Sequence, residues 1–265
     1  MLKIYIKGDF LMIETAGLVA TQKAITDEDG VFLGIDKNTE IRDKGWKRVW
    51  LAPFFDIIGQ LSKSQLKVLK YIIYITGERN NLAKCTAESL AICCKVSIYT
   101  AKDTLSILTK NDFLRKADSK KYMINPLIIF YGKDNMNLCC QYFALDSKYE
   151  LKKYKNKKWQ KFWLINFFEK IEDVSGKSMQ VVYCLLSNMY MGNNIVKLTQ
   201  RQIVQETGLS IQLVNQTLKK LKAQDLICYK SDEAGIRVNP ECVSGVPLEK
   251  RINICKEYQK FADCS

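Results

Sequence analysis

The sequence predicts a mainly α-helical α+β protein built from two copies of one helical unit, and three observations predict it. A helix-turn-helix pattern runs from Thr199 to Ile227. The same pattern runs from Thr86 to Leu114, 113 residues earlier. After each, two short apolar stretches flank a polar tip, which is the signature of a β-hairpin.

In the later pattern Thr199 is placed to cap a first helix, because its hydroxyl can accept from an orphan amide one turn on. Ile203 and Val204 form the inner face of that helix. Thr207-Gly208-Leu209 make the turn, where Gly208 takes the positive φ that ends a helix. Ser210 caps the second helix, and Val214, Leu218 and Leu221 follow at helical spacing. Its other face carries Gln212, Asn215, Gln216, Lys219 and Lys220, which offer amides and amines to a partner.

The earlier pattern matches position for position. Thr86 pairs with Thr199, Ser97 with Ser210, Leu105 with Leu218 and Asp112 with Asp225. The same offset relates Phe54-Phe55 to Phe167-Phe168, and Trp46 and Trp50 to Trp159 and Trp163, which are all the tryptophans of the chain. A constant offset of this kind reads as an internal duplication of a unit of roughly a hundred residues, the size of one domain.

Residues 1–43 read as a β-rich segment packing on the first domain. Strands are expected around Leu2–Ile6, Leu18–Ile25 and Val31–Ile35, with a hairpin signal at Asp29-Gly30. The first domain spans 44–132. It opens with KGWKRVWL, read as a helical turn that puts Trp46 and Trp50 on one face as packing anchors or, less simply, as a base-stacking platform. Two helices follow, the second capped by Ser62 with Leu66, Leu69, Ile72 and Ile73 as its buried stripe. In the second domain, 159–247, Ser175, Met179, Val182, Leu185 and Leu186 take those roles. Polar loops containing Asn80-Asn81 and Asn193-Asn194 then lead into each helix-turn-helix.

The first hairpin pairs Phe113–Lys116 with Lys121–Ile124. The second pairs Leu226–Lys230 with Ile236–Val238. A hairpin directly after a helix-turn-helix is a wing, so each domain reads as a winged helix. Each wing ends in Asn-Pro, at Asn125-Pro126 and Asn239-Pro240, where proline removes a ladder donor. Residues 133–158 read as a strand near Cys139–Leu145 followed by a lysine-rich linker. Residues 248–265 read as a C-terminal helix with Ile252, Cys255 and Phe261 turned inward, able to close the second domain or to dimerise.

Composition narrows the function. Forty-one Lys+Arg against 28 Asp+Glu give a net charge of +13, the balance of a protein that meets a polyanion. The chain has no histidine, which excludes Ser-His-Asp and Cys-His catalysis and histidine-bearing zinc or nickase sites. With no P-loop and no acidic metal cluster either, a non-enzymatic protein without cofactor or metal is expected. Ten cysteines without a C-x-x-C read as reduced, mostly buried thiols. There is no signal-peptide pattern and no apolar run of transmembrane length, so a cytoplasmic protein with no membrane partner is expected.

The stretch KSQLKVLKYI…TAESLAICCKVSIYTAKDTLSILTKNDFLRKADSKKYMINPLIIFYG resembles the winged-helix domain of RepL-type plasmid replication initiators. The likeness is densest from Phe113 to Gly132 and extends over about Trp46 to Gly132. The second unit keeps the pattern through Asn239-Pro240 but lacks the Ile-Ile-Phe ending. The resemblance implies binding of plasmid DNA to start replication.

In a winged helix the second helix of the motif enters the major groove, N-terminal end first. The expected base readers are Ser97, Tyr99, Thr100, Lys102 and Asp103 in the first unit, and Ser210, Gln212, Asn215 and Gln216 in the second, with Lys219 on the same face as a further DNA contact. Asn and Gln suit adenine, Lys102 suits guanine and Asp103 suits cytosine. Lys84, Thr86, Thr199 and Arg201 are expected to meet the phosphate backbone and to position the protein. Arg115, Lys116, Lys120 and Lys121 on the first wing, and Lys230 and Arg237 on the second, are expected to reach a minor groove or flanking phosphates. Asp232 and Glu233 at the second wing's tip argue against close contact there. Double-stranded DNA is thus the expected partner. A homodimer and contacts with host replication machinery stay open. A transcriptional repressor with the same reading face is the alternative function, and a protein-interaction module is a third.

Overall fold

The computed structural model describes residues 3–7, 10–15, 18–26, 32–35, 40–43, 46–77, 80–130, 135–144, 159–174, 176–229 and 235–263. The chain divides into two compact units, residues 1–46 and 47–265. The first 46 residues carry 6 basic and 8 acidic side chains, so the positive surplus belongs entirely to the larger unit.

The smaller unit is one antiparallel sheet of five strands, β1 (Lys3–Lys7), β2 (Phe10–Thr15), β3 (Leu18–Thr26), β4 (Phe32–Ile35) and β5 (Glu40–Asp43). The central β3 pairs with β2 from Thr15↔Leu18 to Phe10↔Lys23. Its first half also pairs with β5 and its second half with β4. Strands β2 and β5 are additions to the three expected from sequence. Phe10-Leu11-Met12-Ile13 is an unbroken apolar run, which does not announce a strand by alternation. The hairpin signal at Asp29-Gly30 lies outside the described residues.

The larger unit begins with β6 (Lys47–Trp50), α1 (Leu51–Ile58), α2 (Lys63–Ile75), β7 (Leu82–Lys84), α3 (Ala87–Cys94), α4 (Ile98–Lys110), β8 (Leu114–Asp118), β9 (Lys121–Ile124), β10 (Ile129–Phe130) and α5 (Asn135–Ala144). It continues with β11 (Trp159–Phe162), α6 (Leu164–Lys170), α7 (Ser178–Ser187), β12 (Met189–Tyr190), β13 (Ile195–Val196), α8 (Gln200–Thr207), α9 (Ile211–Ala223), β14 (Ile227–Cys228), β15 (Ile236–Val238), β16 (Val243–Ser244) and α10 (Leu248–Asp263). Apart from β12, the second series repeats the first in order. None of the helices in the described residues is long and apolar enough to cross a membrane.

The two series are joined by a four-stranded sheet in the order β10-β6-β11-β16. Its middle pair is antiparallel, with Trp50↔Trp159, Val49↔Gln160, Arg48↔Lys161 and Lys47↔Phe162 in register. Beside it, α1 packs on α7 and α2 on α6. Phe54, Phe55, Phe162, Phe167 and Phe168 meet edge to face or tilted, with centroids 5.0–6.4 Å apart, and one continuous apolar core runs through both series. Lys63 with Asp173 and Lys70 with Glu169 add ion pairs at the rim.

This sheet corrects the reading of the tryptophan motifs. KRVW and WQKF are strands, and the helices start only at Leu51 and Leu164. Tertiary pairing overrides the local helical pattern here. Trp50 and Trp163 are buried as packing anchors, and Trp159 is half exposed with the Arg48 guanidinium 4.9 Å from its ring.

Each series is locked at two left-handed residues. Asn81 (φ 52°) and Asn194 (φ 58°) are buried in the loops before the helix-turn-helix. The Asn81 amide donates to the Ile124 and Ile129 carbonyls at 3.2 and 2.8 Å. Asn194 donates to the Val238 and Val243 carbonyls at 3.4 and 2.6 Å. Asparagine tolerates this backbone region better than most side chains. The loops also lead into β7 and β13, third strands of each hairpin sheet that the sequence reading lacks.

The second lock is Asp112 (φ 54°) and Asp225 (φ 56°), where α4 and α9 end. The Asp112 carboxylate accepts from Tyr142 Oη at 2.8 Å, Asn125 Nδ2 at 3.3 Å and Arg115 Nε at 2.9 Å. The Asp225 carboxylate accepts from Tyr258 Oη at 3.0 Å, Asn239 Nδ2 at 3.0 Å and Lys170 Nζ at 2.8 Å. Tyr142 lies on α5 and Tyr258 on α10, so these helices are counterparts, each closing its own series.

The strand expected near Cys139–Leu145 is therefore helical. Leu138, Cys139, Tyr142 and Phe143 are buried at i, i+1, i+4 and i+5, the period of a helix face rather than of alternation. Helix α10 matches its prediction, with Phe261 buried and Ile252 and Cys255 half-buried. Helix α2 has the Ser62 cap as predicted, in a capping box with Gln65. Helix α7 starts later than predicted, at Ser178 after left-handed Gly176, and Ser175 lies outside the described residues.

Removing the Asn81 or Asn194 side chain leaves two buried carbonyls with one fewer donor and puts alanine at positive φ. Asn81→Ala and Asn194→Ala should each lower the unfolding free energy by about 2–3 kcal/mol, read from denaturant midpoints at unchanged slope. Burial pushes the Cys85, Cys139 and Cys228 thiols up to about 11, from an ordinary value of 9.0. Between those values the folded protein keeps protons that the unfolded chain has shed. Stability should thus fall as pH rises from about 9 to about 11, less steeply in a Cys139→Ala, Cys228→Ala variant, as measured by denaturation at each pH.

Candidate nucleic-acid interface

In the first series α3 and α4 meet through a tight turn. Thr86 Oγ1 accepts from the Ser89 amide and Ser89 Oγ from the Thr86 amide, a reciprocal cap for α3. Lys95 takes the left-handed turn position (φ 53°) that Gly208 takes in the second series (φ 67°). Ser97 caps α4 and shares a 2.9 Å hydrogen bond with Thr100. Ala101, Thr104, Leu105 and Leu108 face the core, so the opposite face is left to solvent. Tyr99 is 81% exposed, and Lys102 and Asp103 are exposed beside it.

Helices α8 and α9 repeat the arrangement. Thr199 and Gln202 form the reciprocal cap, and Ser210 caps α9. Val214, Thr217, Leu218 and Leu221 are buried, whereas Gln212, Gln216, Lys219 and Lys220 are exposed. Thr199 and Arg201 are exposed at the start of α8. The four groups most needed at a groove, Tyr99, Lys102, Gln212 and Gln216, thus all point outward.

Several expected contacts are committed elsewhere or partly withdrawn from the surface. Asp103 accepts from Gln65 Nε2 at 2.7 Å, which ties α4 to α2. Asn215 is half-buried, with its Oδ1 buried and unpartnered. Arg115 is held by Asp112 and lies 4.5 Å from the Tyr142 ring, with 12% of its side chain exposed, so it serves the closing helix α5 rather than an outside phosphate. Arg237 is half-buried with its guanidinium 4.5 Å from the Phe261 ring, the matching place against α10. Lys230, Asp232 and Glu233 lie outside the described residues.

The first hairpin keeps its basic rim. Lys84 of β7 pairs with Lys121 of β9, and the Cys85 amide donates to the Lys120 carbonyl at 3.0 Å. Lys84, Thr86, Ser89, Asp118, Lys120 and Lys121 are among the residues lining one open groove between the hairpin and the N-terminus of α3. Lys84, Lys116 and Lys120 are exposed. Lys121 is paired with Asp118 at 2.6 Å. That bond and the Lys120 amide hold the Asp118 carboxyl below the usual range. The backbone and the Thr86 hydroxyl do the same for Glu88, so this helix end favours an anion.

The sequence reading lacks Lys95 and Ser106, which are exposed on and beside the α4 face. Lys95 carries no sequence signal as a turn residue, because a left-handed lysine is uncommon. Ser106 follows Tyr99, Lys102 and Asp103 at helical spacing and was legible on that ground.

Comparison with known proteins agrees in one direction. The family described as Firmicute plasmid replication protein (RepL) matches residues 12–158 and again residues 144–264. Proteins called "Replication and maintenance protein" from Bacillus subtilis, Staphylococcus aureus and Staphylococcus epidermidis are each 28% identical to this chain over 101 residues. That is 38% of this chain and 68, 63 and 61% of theirs, respectively. No solved structure matches the chain. The two family matches overlap at residues 144–158 and together cover well over half of the sequence, and the chain belongs to the RepL family of Firmicute plasmid replication proteins.

Proposed function

We propose that this protein is a sequence-specific double-stranded DNA-binding initiator of plasmid-type replication, built as a tandem duplication of a winged-helix domain. The single observation that carries the reading is the pair of capped, outward-facing helices α4 and α9. Each sits on a buried core with polar or cationic side chains exposed along its free face. In this reading the domains are 44–132 and 159–247, extended by α5 and α10, which close them. Family membership supports replication over repression as the use of that face.

The protein acts by binding rather than by catalysis. Lys102 and Tyr99 read one stretch of major groove, and Gln212 and Gln216 read another, where an amide side chain pairs bidentately with adenine N6 and N7. Thr86, Lys84, Lys120, Lys116, Thr199 and Arg201 hold the phosphate backbone and set the register. The charge of 47–265 supplies long-range attraction to the duplex. Copying itself falls to host replication enzymes recruited to the bound DNA in the cytoplasm.

Gln212→Ala or Gln216→Ala should relax base choice in one stretch, at a cost of about 1–3 kcal/mol for the preferred base, read by competition binding on single-base variants. The Lys116→Ala, Lys120→Ala pair should weaken all sequences alike and lower the slope of log K against log salt by about 0.9 for each phosphate that is no longer neutralised. Equal effects of the two sets on base choice would overturn the division of roles. Arg115→Ala should act first on stability, lowering the denaturation midpoint before any effect on salt slope.

A further inference from the structure

We infer that the duplex this chain reads is an imperfect inverted repeat, with its two half-sites running in opposite directions about a local dyad. The inference rests on the DNA-binding function proposed above and narrows its ligand to one arrangement.

Arg48 and Lys161 are 113 residues apart, so they hold the same place in the two series, and they face each other in the antiparallel β6/β11 pair. An antiparallel pair in which a position faces its own counterpart has a two-fold axis through that rung. The flanking rungs obey the axis, since Val49↔Gln160 becomes Phe162↔Lys47 when the series are exchanged. So do the outer strands once the second hairpin's one extra residue is counted: past it counterparts are 114 apart, as Asn125 and Asn239 are, and Ile129↔Val49 becomes Val243↔Phe162.

The axis holds beyond the sheet. Helix α1 packs on α7 and α2 on α6, pairings that exchange into one another. The rings of Phe54 and Phe168 lie 6.2 Å apart, and those of Phe55 and Phe167, their counterparts, also 6.2 Å. The shared core makes the two series one body, so the axis is a property of the fold and not of a hinge.

Helix α4 belongs to one series and α9 to the other, so the axis exchanges them and reverses the sense of one relative to the other. A duplex has its own dyads perpendicular to its axis, and a two-fold reader matches them when its half-sites are inverted. Direct repeats are related by translation along the groove, which this sheet does not provide. The half-sites differ in sequence because the reading faces differ. Tyr99 and Lys102 present a ring and an amine that suits guanine, where Gln212 and Gln216 present amides that suit adenine. One copy of the chain then covers the whole site.

The test uses the full chain and a randomised duplex pool. The enriched site is resynthesised in four forms: as selected, with one half reversed in place, with one half scrambled, and with about 5 base pairs, half a turn, inserted between the halves. Expected are an inverted arrangement in the selected site, one protein per duplex, and about a hundred-fold weaker binding for each altered form, the scale expected when one of two linked reading heads is disengaged. Equal or tighter binding to the reversed form, or a scrambled form that binds as well as the selected one, overturns the inverted-repeat inference while leaving DNA binding intact. No enrichment of any sequence at low salt overturns both.

Discussion

The backbone ladder between β6 and β11 is the constraint on which the rest of the larger unit depends. Four paired rungs fix how one half of the chain meets the other, and everything on either side is placed by them. The phenylalanine cluster sits beneath this sheet, where α1 and α6 leave it, and ordering one set of rings orders both halves. A strand pair is directional and tolerates no slip without turning buried side chains to solvent. The geometry between the two outward helices is therefore set by hydrogen bonds between main chains, none of which belongs to α4 or α9.

Within each half, an aspartate at the end of the outward-facing helix gathers the hairpin and the closing helix around itself. Its left-handed backbone turns the chain into the hairpin, and its carboxylate takes the tyrosine of the closing helix and the asparagine of the hairpin's exit. The cation that balances it comes from different places. In the first half it is Arg115, on the next strand. In the second half that position is Cys228, and Lys170 reaches the carboxylate from α6 instead. The same electrostatic requirement is thus met by two solutions, one hairpin-borne and one helix-borne.

Much of this was legible in the sequence, and the illegible parts share a cause. The caps at Ser62, Thr86, Ser97, Thr199 and Ser210, and the buried stripes after them, are local, and they stand where their spacing placed them. The outward faces of α4 and α9 followed from the same period. The strands around Trp50 and Trp159 look helical in the sequence because their pairing partner lies more than a hundred residues away, and no local pattern reports it. Helix α5 looks like a strand because Cys139-Cys140 and Tyr142-Phe143 are apolar in any window, and the Tyr142 contact with Asp112 is with a residue 30 positions earlier, outside any local pattern. Arg115 and Arg237 were expected at phosphates because charge is visible in a sequence and a nearby aromatic ring is not.

A symmetric pair assembled from identical subunits must accept every change twice, once on each side. Here the axis runs inside a single polypeptide, so a substitution alters one side alone. Lysine and tyrosine on one outward helix can coexist with glutamines on the other without any harm to the fit between halves, because that fit lies in main-chain pairing and shared rings. The feature that holds the halves together is thus the one that leaves their outer faces free to diverge one at a time.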